Sequence, residues 1–533
     1  MKTSFETVGV SVRRRCSRVL LAAFLSVAAC FAARAQAAGG ADRPNILFIF
    51  SDDHGTQAIS AYGSRINRTP NIDAIAHEGM RFDNCFVTNS ICGPSRAVII
   101  TGKYSHLNGF YHNRNKLNPD QTMVSRLLQQ AGYNTAIIGK WHLTTDPPGF
   151  DHYEVLNDQG TYYNPEMFRD GQKVRYTGYT TNIITDLALD WLKDDRDKSK
   201  PFFLMYQHKS PHRPWDPAPE YFNVYEDQLI PEPLLLLEDL SARGTPARQS
   251  DMQIGETLDD RDLKFIPPAE LNAEQLAAWN AAYVPRNARF RDSMLTGDAL
   301  IRWKYQRFIK DYLRCVAAMD DGIGRVLKYL DDSGLSKSTI VIYSSDQGFF
   351  LGEHGWFDKR WMYETSLRTP LLVRWPGVTP PDSFCNAIVS NLDFAPTFLD
   401  IAGAKIPDDM QGRSLVPLLR GDNPPDWRTI FYYHYYEYPG WHFVRRHDGV
   451  TDARFKLIHF YEPDVNTWEL YDVKFDPFEI NNLISNPEYD SVKKRLMHQL
   501  EERRKALKVT DSDPPESDMG DFPPRTRIKK LAP

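Results

Sequence analysis

Asp52-Asp53 and Asp346-Gln347 each stand directly behind an apolar run, Asn45–Phe50 and Thr339–Tyr343, that reads as a buried strand. One acidic pair alone is an ordinary solvated turn or helix cap. Two oxygen-rich pairs at equivalent strand ends make a site for a hard cation, Ca²⁺ or Mg²⁺. A second cluster is Cys92-Gly93-Pro94-Ser95-Arg96. Pro94 near the start and Gly102 after Ala97–Thr101 outline a short helix beginning at Cys92. Its free N–H groups and positive dipole end favour an anionic ligand there. Arg96 lies one turn on, on the same face, within reach of the Cys92 side chain. The pattern alone admits a thiolate nucleophile or an inert core cysteine. Lys140 and His142 follow the strand candidate Thr135–Gly139, and His208 follows Phe202–Tyr206.

These positions require a sheet. The strand candidates, with Leu371–Arg374, alternate with helical patterns at Met123–Ala131, Asn182–Lys193 and Lys304–Leu330. That rhythm predicts an α/β fold with a large, mostly parallel sheet flanked by helices. Ligands of such sheets gather beyond the carboxyl ends of the strands, where the polar residues just named fall. The Pro-rich stretch 227–300 breaks the rhythm and reads as an insertion in a catalytic domain spanning 44–420. Past Gly421 an aromatic segment, strand candidates at Phe455–Phe460 and Trp468–Tyr471, and a helix near Ser491–Leu507 predict a smaller α+β domain with an antiparallel sheet, 421–510. Residues 511–533 read as a loose tail.

The chain has 533 residues, 25% charged and 42% hydrophobic, which excludes a disordered or fibrous protein. With 64 basic and 69 acidic residues there is no electrostatic case for nucleic acid. Arginines 13, 14, 15 and 18, the apolar run Val19–Ala33 and Ala33-Arg34-Ala35 read as a signal peptide, 1–35, for export to the periplasm or beyond. The run is too short to span a bilayer, and no other segment qualifies as a membrane span. Cys30 could alternatively anchor a lipid. Removing 1–35 takes six basic residues and one acidic residue, leaving 58 against 68 and a net charge of −10. Cys85, Cys315 and Cys385 read as buried free thiols.

Cys-x-Pro-Ser-Arg, followed by Thr101-Gly102-Lys103-Tyr104, resembles the signature of the formylglycine-dependent sulfatases of the alkaline phosphatase superfamily. Gly139-Lys140-Trp141-His142, Gly352-Glu353-His354-Gly355 and Asp476–Leu483 extend the likeness. Tyr162-Tyr163-Asn164-Pro165, Asp346–Tyr363 and Tyr432–Pro439 are similar to bacterial N-acetylglucosamine-6-sulfatases. The resemblance implies an alkaline phosphatase-like fold and removal of sulfate from a sulfated carbohydrate. Alternatives are sulfatases of other specificity, phosphate or phosphonate monoester hydrolases, and a non-catalytic glycan-binding protein. It implies that a formylglycine-generating enzyme converts Cys92, and that Asp52, Asp53, Asp346 and Gln347 bind one Ca²⁺. Many relatives have Asn where this chain has Gln347. The same likeness gives Arg96 and Lys140 the holding of the formylglycine, His142 the expulsion of sulfate, His208 the protonation of the leaving oxygen and Lys359 the sulfate. His434 and His447, in the aromatic segment beyond 431, are the expected sugar contacts.

Overall fold

A computed structural model describes residues 43–510 and Asp513. The expected signal peptide, with Cys30, and the expected tail lie outside the described residues, Asp513 excepted. Among the described residues no helix is long and apolar enough to cross a membrane.

A ten-stranded sheet forms the body. Its strands are β1 (Asn45–Ser51), β2 (Met80–Phe82), β3 (Asn134–Gly139), β4 (His152–Leu156), β5 (Glu166–Arg169), β6 (Gln172–Arg175), β7 (Phe202–Gln207), β8 (Thr339–Ser345), β9 (Leu371–Arg374) and β10 (Ser383–Cys385). They lie in the order β10-β2-β9-β8-β1-β7-β3-β4-β5-β6. The five central strands β8, β1, β7, β3 and β4 run parallel, and antiparallel neighbours extend both edges. All seven residues of β1 are buried because both faces are covered. Alternation then feeds two cores: Ile46, Phe48 and Phe50 pack on one side, Leu47 and Ile49 on the other.

The helices that matter for the site are α1 (Pro70–His77), α2 (Cys92–Thr101), α3 (Thr180–Asp190), α4 (Ala273–Ser293), α5 (Gly297–Asp332) and α6 (Asp490–Ala506). The stretch read as irregular, 227–300, contains α4, a helix of 21 residues started by a capping box between Asn272 and Gln275. Pro285 inside it hid the pattern, and only a narrow face around Trp279 and Tyr283 is buried.

A separate antiparallel sheet, β11 (Phe431–Tyr435), β12 (His447–Thr451), β13 (Phe455–Phe460) and β14 (Thr467–Asp472), carries α6 on one face. Both sheets belong to one compact unit beginning at Pro44. Tyr433, Tyr435 and Phe460 join Trp356, Trp361 and Tyr363 in one aromatic core, so apolar burial fixes the second sheet against the loops behind β8. Cys85 and Cys315 are buried free thiols, and Cys385 is half-buried and free.

Candidate active site

β1 and β8 pair in parallel with Ser51 opposite Ser345, so Asp52 and Asp346 leave the sheet side by side. Asp53 takes a left-handed backbone, φ 68°, and its N–H donates to Asp346 Oδ1 at 3.0 Å. The amide of Gln347 donates to both Asp346 Oδ1, at 2.9 Å, and Asp53 Oδ1. All four side chains are buried. Burial, opposed by Lys359 and reinforced by Asp52, raises Asp53 to about 6. Burial and the neighbouring Asp52 push Asp346 well above the carboxylate range. Asp52 falls well below it, because Lys140, His212 and Arg96 outweigh burial. Three crowded carboxylates in a dry site need positive charge. Asp52 Oδ1 and Gln347 Oε1 are buried and accept no hydrogen bond, as oxygens suited to a hard cation do. The donor set therefore fits Ca²⁺.

Cys92 opens α2, whose ten residues are all buried. Ser95 locks the helix to the neighbouring strand end, its hydroxyl donating to the Asp346 carbonyl at 2.5 Å. Sγ of Cys92 and carboxylate oxygens of Asp52, Asp53 and Asp346 all lie within 4.8 Å of one another. Burial, and those three carboxylates against Lys359, push the thiol well above its ordinary pKa. An unmodified thiolate nucleophile is therefore disfavoured here.

Cations surround this group. Arg96 donates to the Lys140 carbonyl and Gln207 Oε1, both at 2.8 Å, and to Asp346 Oδ2 at 3.2 Å. Lys140 Nζ donates to Asp52 Oδ2, and also to Gln159 Oε1 at 2.6 Å. Lys359 Nζ donates to Asp53 Oδ2 at 2.8 Å. Lys140 reaches the site because β3 ends in Gly139, where a Cβ would stand 1.7 Å from the Gln207 carbonyl oxygen. A cavity of about 350 Å³ opens over Cys92. His142, Gln159, His212 and Lys359 wall it from the main body, and Glu437 and His442 from the second sheet's side.

The structure thus gathers Asp52, Asp53, Asp346, Gln347, Cys92, Arg96, Lys140 and Lys359 in one cluster, and of the expected residues Cys92, His142 and Lys359 line the cavity itself. It does not bring His208 there. That ring is fully buried against Tyr206, with centroids 4.5 Å apart, and neither nitrogen has a hydrogen-bond partner. His212, four residues on in the same loop, takes the place in the wall, with Nε2 3.7 Å from Asp53 Oδ2. The sequence signal was the second histidine of Gln207–His212, but spacing could not choose between the two. His434 and His447 also lie elsewhere, for reasons of strand geometry. His434 projects from β11 opposite to Tyr433 and Tyr435, bonded to the Tyr432 and Tyr461 hydroxyls, in a different cavity with Trp468 and Arg504. His447 is core: its Nε2 accepts from the Met362 N–H at 3.1 Å and its Nδ1 donates to the Arg445 carbonyl at 2.8 Å.

The profile described as "Sulfatase" matches residues 44–404, and "N-sulphoglucosamine sulphohydrolase, C-terminal" matches 352–506. An N-acetylglucosamine-6-O-sulfatase of Bacteroides thetaiotaomicron is 47% identical over 535 residues, covering 96% of this chain and 95% of its own. The human N-acetylglucosamine-6-sulfatase is 27% identical, over 74% of this chain and 67% of its own length. A solved structure of BT4656 in complex with its substrate, D-glucosamine-2-N,6-O-disulfate, superposes with a TM-score of 0.86 at 49% identity, covering 88% of this chain and 99% of the other. With a profile match across most of its length and a relative nearly half identical from end to end, the chain belongs to the sulfatase family.

Proposed function

We propose that this sulfatase removes the 6-O-sulfate of N-acetylglucosamine from sulfated glycans, using formylglycine made from Cys92 and one Ca²⁺. The observation that carries the reading is the meeting of Cys92 with three buried carboxylates, within 4.8 Å, where Cys92 and Lys359 line a cavity. The choice of sugar is supported by the 47% identical N-acetylglucosamine-6-O-sulfatase and by BT4656 with its glucosamine disulfate.

Formylglycine made from Cys92 would supply, as the aldehyde hydrate, an oxygen nucleophile with a second ionisable hydroxyl. Asp52, Asp53, Asp346 and Gln347 would hold the Ca²⁺, which would supply positive charge against an anionic sulfate ester. The chain's own residues do the rest. Arg96 braces the carboxylate cluster, joining Asp346 to the Lys140 carbonyl and Gln207. Lys140 and Lys359 balance charge that accumulates as a nucleophile approaches an anionic ester. His212 replaces His208 as the general acid. Its Nδ1 donates to the Arg213 carbonyl at 2.7 Å, leaving Nε2 to carry the proton for the leaving oxygen. Burial and Lys140 hold its pKa well below normal. A bound sulfate supplies the opposing charge that favours protonation. His142 assists release of sulfate. Residues 44–420 carry this chemistry, residues 421–510 close the cavity, and residues 1–35 direct export and are then removed.

Mass spectrometry of the Cys92 peptide, from protein co-produced with a formylglycine-generating enzyme, tests the nucleophile. Sulfate release from 6-sulfated N-acetylglucosamine, set against 6-sulfated galactose and an aryl sulfate, tests the substrate. An unmodified thiol in active protein, or preference for galactose, would sink the respective half.

A further inference from the structure

Gln159 lies in the loop between β4 and β5, outside the motifs that carry the family likeness although three residues before Tyr162, yet its side chain spans Lys140 and His142. Its Oε1 accepts from Lys140 Nζ at 2.6 Å, and its Nε2 lies 2.9 Å from His142 Nε2. Its backbone carbonyl accepts from the buried Lys209 at 3.1 Å, which pins the loop to the end of β7. The polarity of this chain of contacts is forced. An ammonium group only donates, so the amide oxygen must face Lys140 and the NH₂ must face His142. His142 Nε2 is then the acceptor, and a neutral imidazole accepting at Nε2 carries its proton on Nδ1. The nearest carboxylate to His142 Nε2, Asp158 Oδ1, is 3.7 Å away, beyond hydrogen-bond range. Nδ1 is buried, with no partner among the described residues, in a side chain that forms part of the cavity wall.

We propose that Gln159 is a positioning residue that fixes His142 as the Nδ1–H tautomer, so that the imidazole meets the reacting group as a hydrogen-bond donor. The catalytic consequence rests on the sulfatase reading above, whereas the tautomer does not. Lys140 is the origin of the orientation, Gln159 transmits it and His142 delivers it. The tautomer is therefore written into a residue outside the signature.

Neutron diffraction from deuterium-exchanged crystals of the protein reads the proton directly. Wild type is expected to carry deuterium on His142 Nδ1 and none on Nε2. In Gln159→Glu the carboxylate can only accept, so deuterium appears on Nε2. Deuterium on Nε2 in wild type, or an unchanged position in Gln159→Glu, overturns the proposal. In kinetics, Gln159→Glu and the isosteric Gln159→Met are expected to lower kcat on 6-sulfated N-acetylglucosamine by roughly 10- to 100-fold, with a smaller change in KM, as loss of an orienting partner does. A kcat unchanged in both variants overturns the positioning role. If wild type shows the expected tautomer but releases no sulfate from any sugar, the functional reading fails and the assignment of His142 stands.

Discussion

His208 and His212, four residues apart, have opposite surroundings. The first has no hydrogen bond and no access to the cavity, while the second stands in its wall. His212→Ala is expected to cut kcat on a sugar sulfate by about 10²–10⁴-fold. It should cost less than about tenfold on an aryl sulfate, whose leaving group needs no proton. Equal losses on both substrates would exclude the general-acid role. His208→Ala should do the reverse, lowering stability by about 2–3 kcal/mol through the void it leaves, with kcat changed less than about tenfold. Urea midpoints together with kcat distinguish the two. Much of the site was legible at this scale. Asp52, Asp53, Asp346 and Gln347 follow continuous apolar runs, and such runs mark strand ends well. Cys92, Arg96, Lys140 and Lys359 stood in patterns that carried the family likeness. His208, His434 and His447 were misplaced because a loop's path, or which face of a half-read strand meets the cavity, is set by tertiary packing.

At the scale of elements, two polar contacts hold the architecture together in ways that periodicity does not reveal. The Thr69 side chain does not cap α1; Asp320, from α5, accepts instead from the backbone N–H groups of Asn71 at 3.2 Å and Ile72 at 2.9 Å. Burial, against those two donors, raises Asp320 to about 6 from an ordinary 3.8. An acid whose folded pKa is raised binds its proton more tightly in the native state. Its stabilising contribution is therefore full below about 3.8 and is lost as pH rises through about 6. The loss amounts to about 3 kcal/mol at most. Asp320→Asn, which can still accept at the cap, is expected to flatten the stability profile between pH 4 and 7. Urea titrations across that range check it, and identical profiles would refute the assignment. The second contact is Lys456 of β13, fully buried between Glu364 at 2.8 Å and Glu479 at 2.7 Å. Lys456→Met leaves two carboxylates facing each other and should cost about 3–5 kcal/mol. Adding Glu364→Gln and Glu479→Gln should recover most of it, and failure to do so would show that the lysine stem, not its charge, matters. Strands β1, β3, β7, β8, β9 and β13 were readable from apolar runs. Helix α4 was not, since Pro285 and a polar surface mask a helix that starts from a side-chain cap.

For the whole molecule, the proposed calcium site predicts that the carboxylate cluster ties folding to a bound cation. A ligand that binds only the native state at about 100 times its Kd adds about 2.7 kcal/mol. Stripping Ca²⁺ with EDTA is therefore expected to lower Tm by several degrees, and re-addition to restore it. Asp346→Asn should remove most of that response in scanning fluorimetry. A Tm indifferent to EDTA and Ca²⁺ would argue against a calcium-holding cluster. The cavity's two-sided wall has a further consequence. Cys92, His142 and Lys359 come from connections of the large sheet, whereas Glu437 and His442 come from beside another sheet that begins only at Phe431. Arg360 ties the halves together through an ion pair with Glu437 at 2.7 Å. The two sides of the cavity are thus contributed by stretches of one polypeptide that lie far apart in sequence. Exchanging the segment from Phe431 to Thr451 for a relative's is expected to change glycan preference while sulfate release persists. A chimaera that keeps Arg360 and its acidic partner is the smallest design that respects that joint.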